Sequence, residues 1–171
     1  SNISNCINNA VPVISGTTGW LEKYDDVIEL CHQKKGAFIY ASNFSLGVNI
    51  FFELNAQLAK MMNSLNDYTS TLEEIHHTKK LDAPSGTAIT LAEGIIDNSS
   101  KTAWKLDGNT SKEIIPITAK RIADIPGTHT VDYTSAVDSI EIKHTAHNRQ
   151  GFALGALVAA EWLQDKKGVS I

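Results

Sequence analysis

Two short apolar runs bracket one charged stretch near the front of the chain, and that arrangement allows few folds. Residues 11–15 form a β-branched run ending at Gly16-Thr17-Thr18-Gly19, which reads as a buried strand feeding a turn. Residues 22–35 set Val27, Ile28 and Leu30 among charges and read as a helix, with Gly36 as its C-cap. Residues 37–41 (Ala-Phe-Ile-Tyr-Ala) read as a second strand. Strand, helix and strand with short connections make a βαβ unit. The helical crossover brings the second strand back parallel to the first.

The pattern changes after Ser45. Residues 45–63 carry Val48, Phe51, Phe52, Leu54, Leu58, Met61 and Met62 near helical spacing, as a core-facing helix would. Residues 68–75 read as a strand running into His76-His77, and a loop over 79–84 follows. A helix then starts at or near Ser85 with Ile89, Leu91, Ala92, Ile95 and Ile96 on one side. Residues 97–112 are polar and read as a surface loop. Strands are expected over 114–122, 130–134 and 140–144. The last of these puts Ile140 and Ile142 inward and Glu141 and Lys143 outward. Residues 151–162 read as a final helix in which Gly151 and Gly155 serve close helix packing. The expected fold is an α/β remnant of a Rossmann-type parallel sheet plus an α+β C-terminal domain with a mixed or antiparallel sheet.

Composition narrows the function. Of 171 residues, 42% are hydrophobic and 20% charged, ordinary globular usage that excludes a disordered chain. Nineteen acids against fifteen bases give a net charge of −4, the opposite of a basic nucleic-acid binder, so no nucleic acid partner is expected. No apolar run approaches the ~20 residues a spanning helix needs, so no membrane is expected. Residues 1–9 are polar, without the plan of a signal peptide and without an initiator methionine, so the chain reads as a processed or truncated piece. Cys6 and Cys31 fit neither a redox pair nor a zinc knuckle, and a reducing, cytoplasmic setting is the default.

The richest chemistry lies in Glu74-Ile75-His76-His77-Thr78-Lys79-Lys80-Leu81-Asp82-Ala83-Pro84-Ser85-Gly86-Thr87-Ala88. Two histidines, two lysines and a helix start converge within fifteen residues. The backbone N–H groups of the helix start at Ser85, Gly86 and Thr87, with the positive end of the helix dipole, can hold a carboxylate. Gly86 allows close approach to the backbone, and Lys80 adds a point charge. A histidine beside the anion, with an unperturbed pKa of about 6.5, can hand over a proton near neutral pH. The blander reading is an N-cap at Ser85 and a solvated basic loop. Asp82, Ser85 and a histidine could form a triad, but no G-x-S-x-G elbow accompanies them. His144 and His147 read as structural, without a metal motif. Arg121 and Arg149 read as ion-paired or structural.

Gly16-Thr17-Thr18-Gly19 and Ala41-Ser42-Asn43-Phe44 follow successive strands, where ligands bind in open α/β sheets. No two glycines lie two positions apart, so the dinucleotide fingerprint is absent, as is a Walker A lysine.

Glu74-x-His76-His77-x-x-Lys80-x-Asp82-Ala83-Pro84-Ser85-Gly86-Thr87-Ala88 resembles the signature of bacterial dihydrodipicolinate reductases. Gly16-Thr17-Thr18-Gly19 and Ala41-Ser42-Asn43-Phe44-Ser45-x-Gly47-Val48-Asn49 resemble that family's two cofactor loops. Residues 121–129 and Asn148-Arg149-x-x-Phe152-x-x-Gly155-Ala156 resemble its later segments. The resemblance implies an enzyme that reduces a cyclic dicarboxylate with NADH or NADPH. It implies His76 as general acid and Lys80 as a catalytic and carboxylate-binding group, with His77, Ser85, Gly86 and Thr87 binding substrate. Gly16, Thr17, Thr18, Ala41, Ser42, Asn43 and Phe44 would line the nicotinamide. It further implies a homotetramer, with residues 1–44 a partial dinucleotide-binding domain, 45–148 a substrate-binding and oligomerisation domain, and 149–171 a helix returning to the first domain. Ala123 stands where the family often has glycine. The family's first strand, glycine-rich loop and helix have no counterpart here, so this piece is expected to hold NAD(P)H poorly. A non-catalytic carboxylate-binding or oligomerisation module, and a reductase acting on another cyclic imine, are the alternatives.

Overall fold

A computed structural model describes residues 1–17, 19–109 and 111–170. The chain divides into two compact units. One comprises Ser1–Leu46 and the chain after Arg149; the other is Gly47–Arg149.

In the first unit, β1 (Val13–Ser15), β2 (Ala37–Tyr40) and β8 (Gly168–Ser170) form a parallel sheet in the order β1-β2-β8. The expected βαβ crossover is present. Its helix α2 (Tyr24–Lys34) follows a 3-10 turn at Leu21–Lys23. Asp25 and Asp26 sit in its first turn and His32 and Lys34 in its last, each matched to the helix dipole. The left-handed C-cap is Lys35 (φ 51°), not Gly36. A Cβ at Gly36 would lie 3.3 Å from Ile7 and 3.4 Å from Cys31, so that glycine answers to packing. The polar start forms a helix, α1 (Asn2–Asn8), whose Ile7 joins Val27, Cys31 and Phe38 in the core. The final helix α5 (Gln150–Leu163) lies against β1 and β2. Gly155 serves close packing as expected, but against a loop. A Cβ there would stand 1.7 Å from the carbonyl oxygen of Phe44.

In the second unit, α3 (Leu46–Met62) and α4 (Gly86–Asp97) accompany a five-stranded sheet, β4-β5-β3-β6-β7. Its strands are β3 (Thr69–His76), β4 (Ala103–Leu106), β5 (Ile114–Arg121), β6 (Gly127–Thr134) and β7 (Ser139–Ala146). β3 runs parallel to β5 and antiparallel to β6, and β4 is parallel to β5, so the sheet is mixed as expected. Residues 97–112 are not all loop, because β4 lies within them. Val48, Phe51, Ala59 and Met62 of α3 are buried, but Leu54 and Met61 face solvent at 49% and 71% exposure, which corrects their core reading. Ala88, Leu91, Ala92 and Ile95 of α4 pack with Leu72, Ile115, Ile117 and Val131 of the sheet. β7 keeps the expected alternation, yet it is an edge strand with no buried residue and Ile140 is 39% exposed.

Candidate functional site

The site grows from the alternation of β3. Ser70, Leu72, Glu74 and His76 are its buried residues, two apart on one face. The first half of that face is filled by the apolar core, and its end carries a carboxylate and an imidazole. Strand register supplies the partners. Glu74 pairs with His129 across β6, and His76 with Arg121 across β5.

Glu74 is fully buried and sits among four groups. Arg121 Nη2 donates to Oε1 at 3.0 Å. The Ser85 N–H donates to Oε2 at 2.9 Å. His76 Nδ1 lies 3.6 Å and His129 Nε2 3.8 Å from the same Oε2. The remaining donors of Arg121 reach the carbonyls of Lys80, Asp82 and Lys120, fastening the 79–84 loop to the end of β5. An isolated buried carboxylate is costly, so this one needs its guanidinium partner.

Ser85 caps α4, accepting from the Ala88 N–H at 3.2 Å, and its Oγ lies 3.1 Å from His129 Nε2. The Ser85 end of the expected carboxylate clamp is therefore already engaged. Gly86 is exposed, and a Cβ there would meet nothing within 4 Å, which leaves space for a ligand against the backbone. Thr87 is half-buried in the first turn. Lys80 Nζ donates to both oxygens of Asp82 at 2.8 Å, so Asp82 serves the lysine rather than a Ser85 triad. Burial raises the Asp82 carboxyl, but the Lys80 bond and the charges of Lys80 and Arg121 hold it below its ordinary value. His77 accepts at Nε2 from Arg149 Nη2 at 3.1 Å. Because arginine only donates, the His77 ring proton sits on Nδ1. His77, Lys79, His147 and Arg149, with Asp124, line a cleft of about 310 Å³ with a cationic rim.

Burial lowers the His76 pKa, with Glu74 and Asp82 opposing and Lys80 and Arg121 adding to the fall. His129 is pushed down to about 3, by burial first and then by the charges of His76, His144 and Lys80, so it is neutral in the working range. The rings of His76 and His129 meet edge to face, 5.0 Å between centroids. Glu74, His76 and His129 bring ligand-type atoms within 4.8 Å of one another, but the Arg121 cation on the same carboxylate opposes a metal ion there.

Sequence reasoning leaves Glu74 without a role and omits His129, and it reads Arg121 as ion-paired, which it is. The available signal was the two-residue spacing of Glu74 and His76 on a strand whose alternate positions are apolar. Ala123 adopts φ 40°, a left-handed conformation that glycine takes freely and that costs an alanine about 1–2 kcal/mol.

The expected cofactor loops lie in the first unit. Gly16 and Thr17 follow β1, and Ala41, Ser42, Asn43 and Phe44 follow β2; Thr18 lies outside the described residues. The strands are adjacent, and the Ala41 N–H donates to the Ser15 carbonyl at 3.2 Å, so the two loops stand side by side. A Cβ on Gly16 would touch the Phe44 ring at 3.4 Å.

The family model described as "Dihydrodipicolinate reductase, C-terminus" matches residues 47–170. A protein named 4-hydroxy-tetrahydrodipicolinate reductase from Christiangramia forsetii is 60% identical over 169 residues. The chain belongs to the dihydrodipicolinate reductase family. A namesake from Lawsonia intracellularis is 36% identical over 91% of the chain. A solved structure, "Dipicolinate bound Dihydrodipicolinate reductase" from Paenisporosarcina, covers 99% of the chain with a TM-score of 0.74 at 24% identity, a likeness of fold. The chain spans 70%, 62% and 66% of those three proteins respectively. No helix of its described residues is long and apolar enough to cross a membrane.

Proposed function

We propose that the protein reduces 4-hydroxy-tetrahydrodipicolinate to tetrahydrodipicolinate with NADH or NADPH, the 4-hydroxyl leaving as water, in lysine and diaminopimelate biosynthesis in the cytoplasm. The observation that carries this reading is a shared oxygen. Oε2 of Glu74 takes the N–H of the residue opening α4 and faces the imidazole of His76, so a proton donor stands next to a helix start suited to a carboxylate. Reduced nicotinamide, when bound, supplies a hydride. Gly16, Thr17 and Thr18 with Ala41, Ser42, Asn43 and Phe44 would line it; the side-by-side loops after β1 and β2 are the kind of place where parallel sheets take such ligands.

The remaining work falls to this chain's own residues. His76 supplies the proton that the reduced ring requires. Gly86 and Thr87 receive one carboxylate at the helix start, with Ser85 holding that start in place. Lys80 binds the dianion and assists proton delivery, exchanging its Asp82 partner for substrate. His77 binds substrate at the cationic cleft. The protein acts as a homotetramer built on its five-stranded sheet.

The test is His76→Ala. With an intact cofactor-binding domain supplied, turnover is expected to fall ~10²–10⁴-fold, while dipicolinate, the ligand named in the Paenisporosarcina structure, still binds in a calorimetric titration. An unchanged rate removes His76 from the chemistry. A protein that binds dipicolinate but shows no reduction before mutation, even when supplied with an intact cofactor-binding domain, is a binding module.

A further inference from the structure

We propose that Glu74 is a positioning residue which orients the His76 imidazole through Nδ1 and holds the start of α4 in the same frame, leaving Nε2 as the nitrogen that delivers the proton. The proposal builds on the reductase reading, but its central claim concerns the protein without ligand.

The geometry divides the two nitrogens of His76. Nδ1 is enclosed, has no hydrogen-bond partner, and lies 3.6 Å from Glu74 Oε2. A shift of well under an ångström makes that approach a charge-assisted hydrogen bond once Nδ1 carries a proton. Nε2 faces Gly127, where a Cβ would stand 3.1 Å away. Glycine at 127 therefore keeps the other ring nitrogen uncrowded. A carboxylate behind one nitrogen fixes the tautomer and leaves the second free to act on substrate.

The carboxylate is itself rigid. It is fully buried, with Oε1 held by Arg121 and Oε2 by the Ser85 N–H. One side chain thus links β3, β5 and the opening of α4. Any displacement of the proton donor relative to the carboxylate-binding helix start must strain one of these contacts. Positioning to a few tenths of an ångström is what general acid catalysis requires.

The charged and titratable groups that face His76 are Glu74 on its own strand, Arg121 from β5, His129 from β6, and Lys80 and Asp82 from the following loop. Burial and the two cations work against a protonated ring. Glu74 is the nearest group working for it, ahead of Asp82. Removing the Glu74 charge while keeping its shape should lower the proton affinity of His76. Removing the Arg121 charge should raise it.

The experiment follows the ring protons of His76 by NMR across pH in the ligand-free chain and in two variants. In Glu74→Gln the midpoint is expected to fall by about one unit or more, and in Arg121→Met to rise by a comparable amount. In the active reductase, Glu74→Gln should lower kcat about tenfold near neutral pH and move the alkaline limb of its pH profile to lower pH. KM should change less than about threefold, because glutamine keeps an oxygen that can accept the Ser85 N–H and so hold the helix start in place. A His76 midpoint that moves in neither variant overturns the proposal. If Glu74→Gln fails to fold, the Arg121→Met titration decides alone: a rise supports the proposal and an unmoved midpoint overturns it. Failure of dipicolinate to bind the unmodified protein counts against the reductase reading and leaves the titration result standing.

Discussion

At the residue scale, the pair His76 and His129 shows how position on one sheet assigns different work to identical side chains. Both are buried, at 7% and 4% exposure, and they touch edge to face. His129 is the more deeply withdrawn, with Ser85 Oγ at its Nε2 and nothing at Nδ1, and its pKa falls to about 3. The unfolded chain binds a proton at His129 near the ordinary value of about 6.5, and the folded chain does so only near 3. Between those values the unfolded state holds more protons. The contribution to stability is therefore complete above about pH 6.5 and is lost as pH falls toward 3. Between about pH 7.5 and pH 5, His129 alone should remove about 2 kcal/mol. Burial lowers His76 and His144 as well, so they act in the same sense. Urea unfolding at the two pH values checks this. The loss should shrink in His129→Asn, and an equal loss in both proteins would show that His129 does not titrate on unfolding.

At the element scale, helix α5 fixes the loop after β2 by the absence of a side chain. A Cβ on Gly155 would stand 1.7 Å from the Phe44 carbonyl oxygen and 2.7 Å from its carbon, so the helix backbone lies directly on the loop. Gly155→Ala should destabilise the protein by about 3 kcal/mol and displace residues 41–44. A thermal melt reads the first effect and the chemical shifts of Ala41 to Phe44 read the second; an unshifted loop would mean that α5 does not set its position. The same elements show what a sequence discloses. The β1-α2-β2 crossover, α3 and α4 were legible because their patterns are local. β4 was not. It pairs with β5 on one side only, alternates exposed and half-buried residues, and sits in a polar stretch that reads as loop. β8 is three residues long and exists only through its pairing with β2. α1 buries a single residue. At the candidate site, the histidines, Lys80 and Ser85 are contiguous enough to be noticed together. Glu74 draws its meaning from Arg121 and His129, which lie 47 and 55 positions away along the chain and arrive by strand register.

At the scale of the whole molecule, the five-stranded sheet is unevenly covered. α3 and α4 pack on the face that carries Leu72, Val131 and Tyr133. The opposite face presents Thr71, Glu73 and Ile75 of β3 and Thr130 and Asp132 of β6, all half-buried, and Glu141, Lys143 and Thr145 of β7, all exposed. Such a face tolerates water, because β-branched and charged residues alternate on it and Glu73 already pairs with Lys120. The edge is harder to leave bare. β7 is eight residues long, ends the sheet, and follows a turn whose Val137 is 88% exposed. A long unpaired edge invites another chain, and closed assemblies of identical chains remove it. This asymmetry supports the proposed homotetramer through the sheet. Light scattering on the eluting protein should give four times the chain mass, with dissociation only on strong dilution. Lys143→Glu, which places a second acid beside Glu141 on the exposed face, should weaken the assembly while leaving the circular dichroism of the fold in place. A single-chain mass at every concentration would rule out assembly through this sheet.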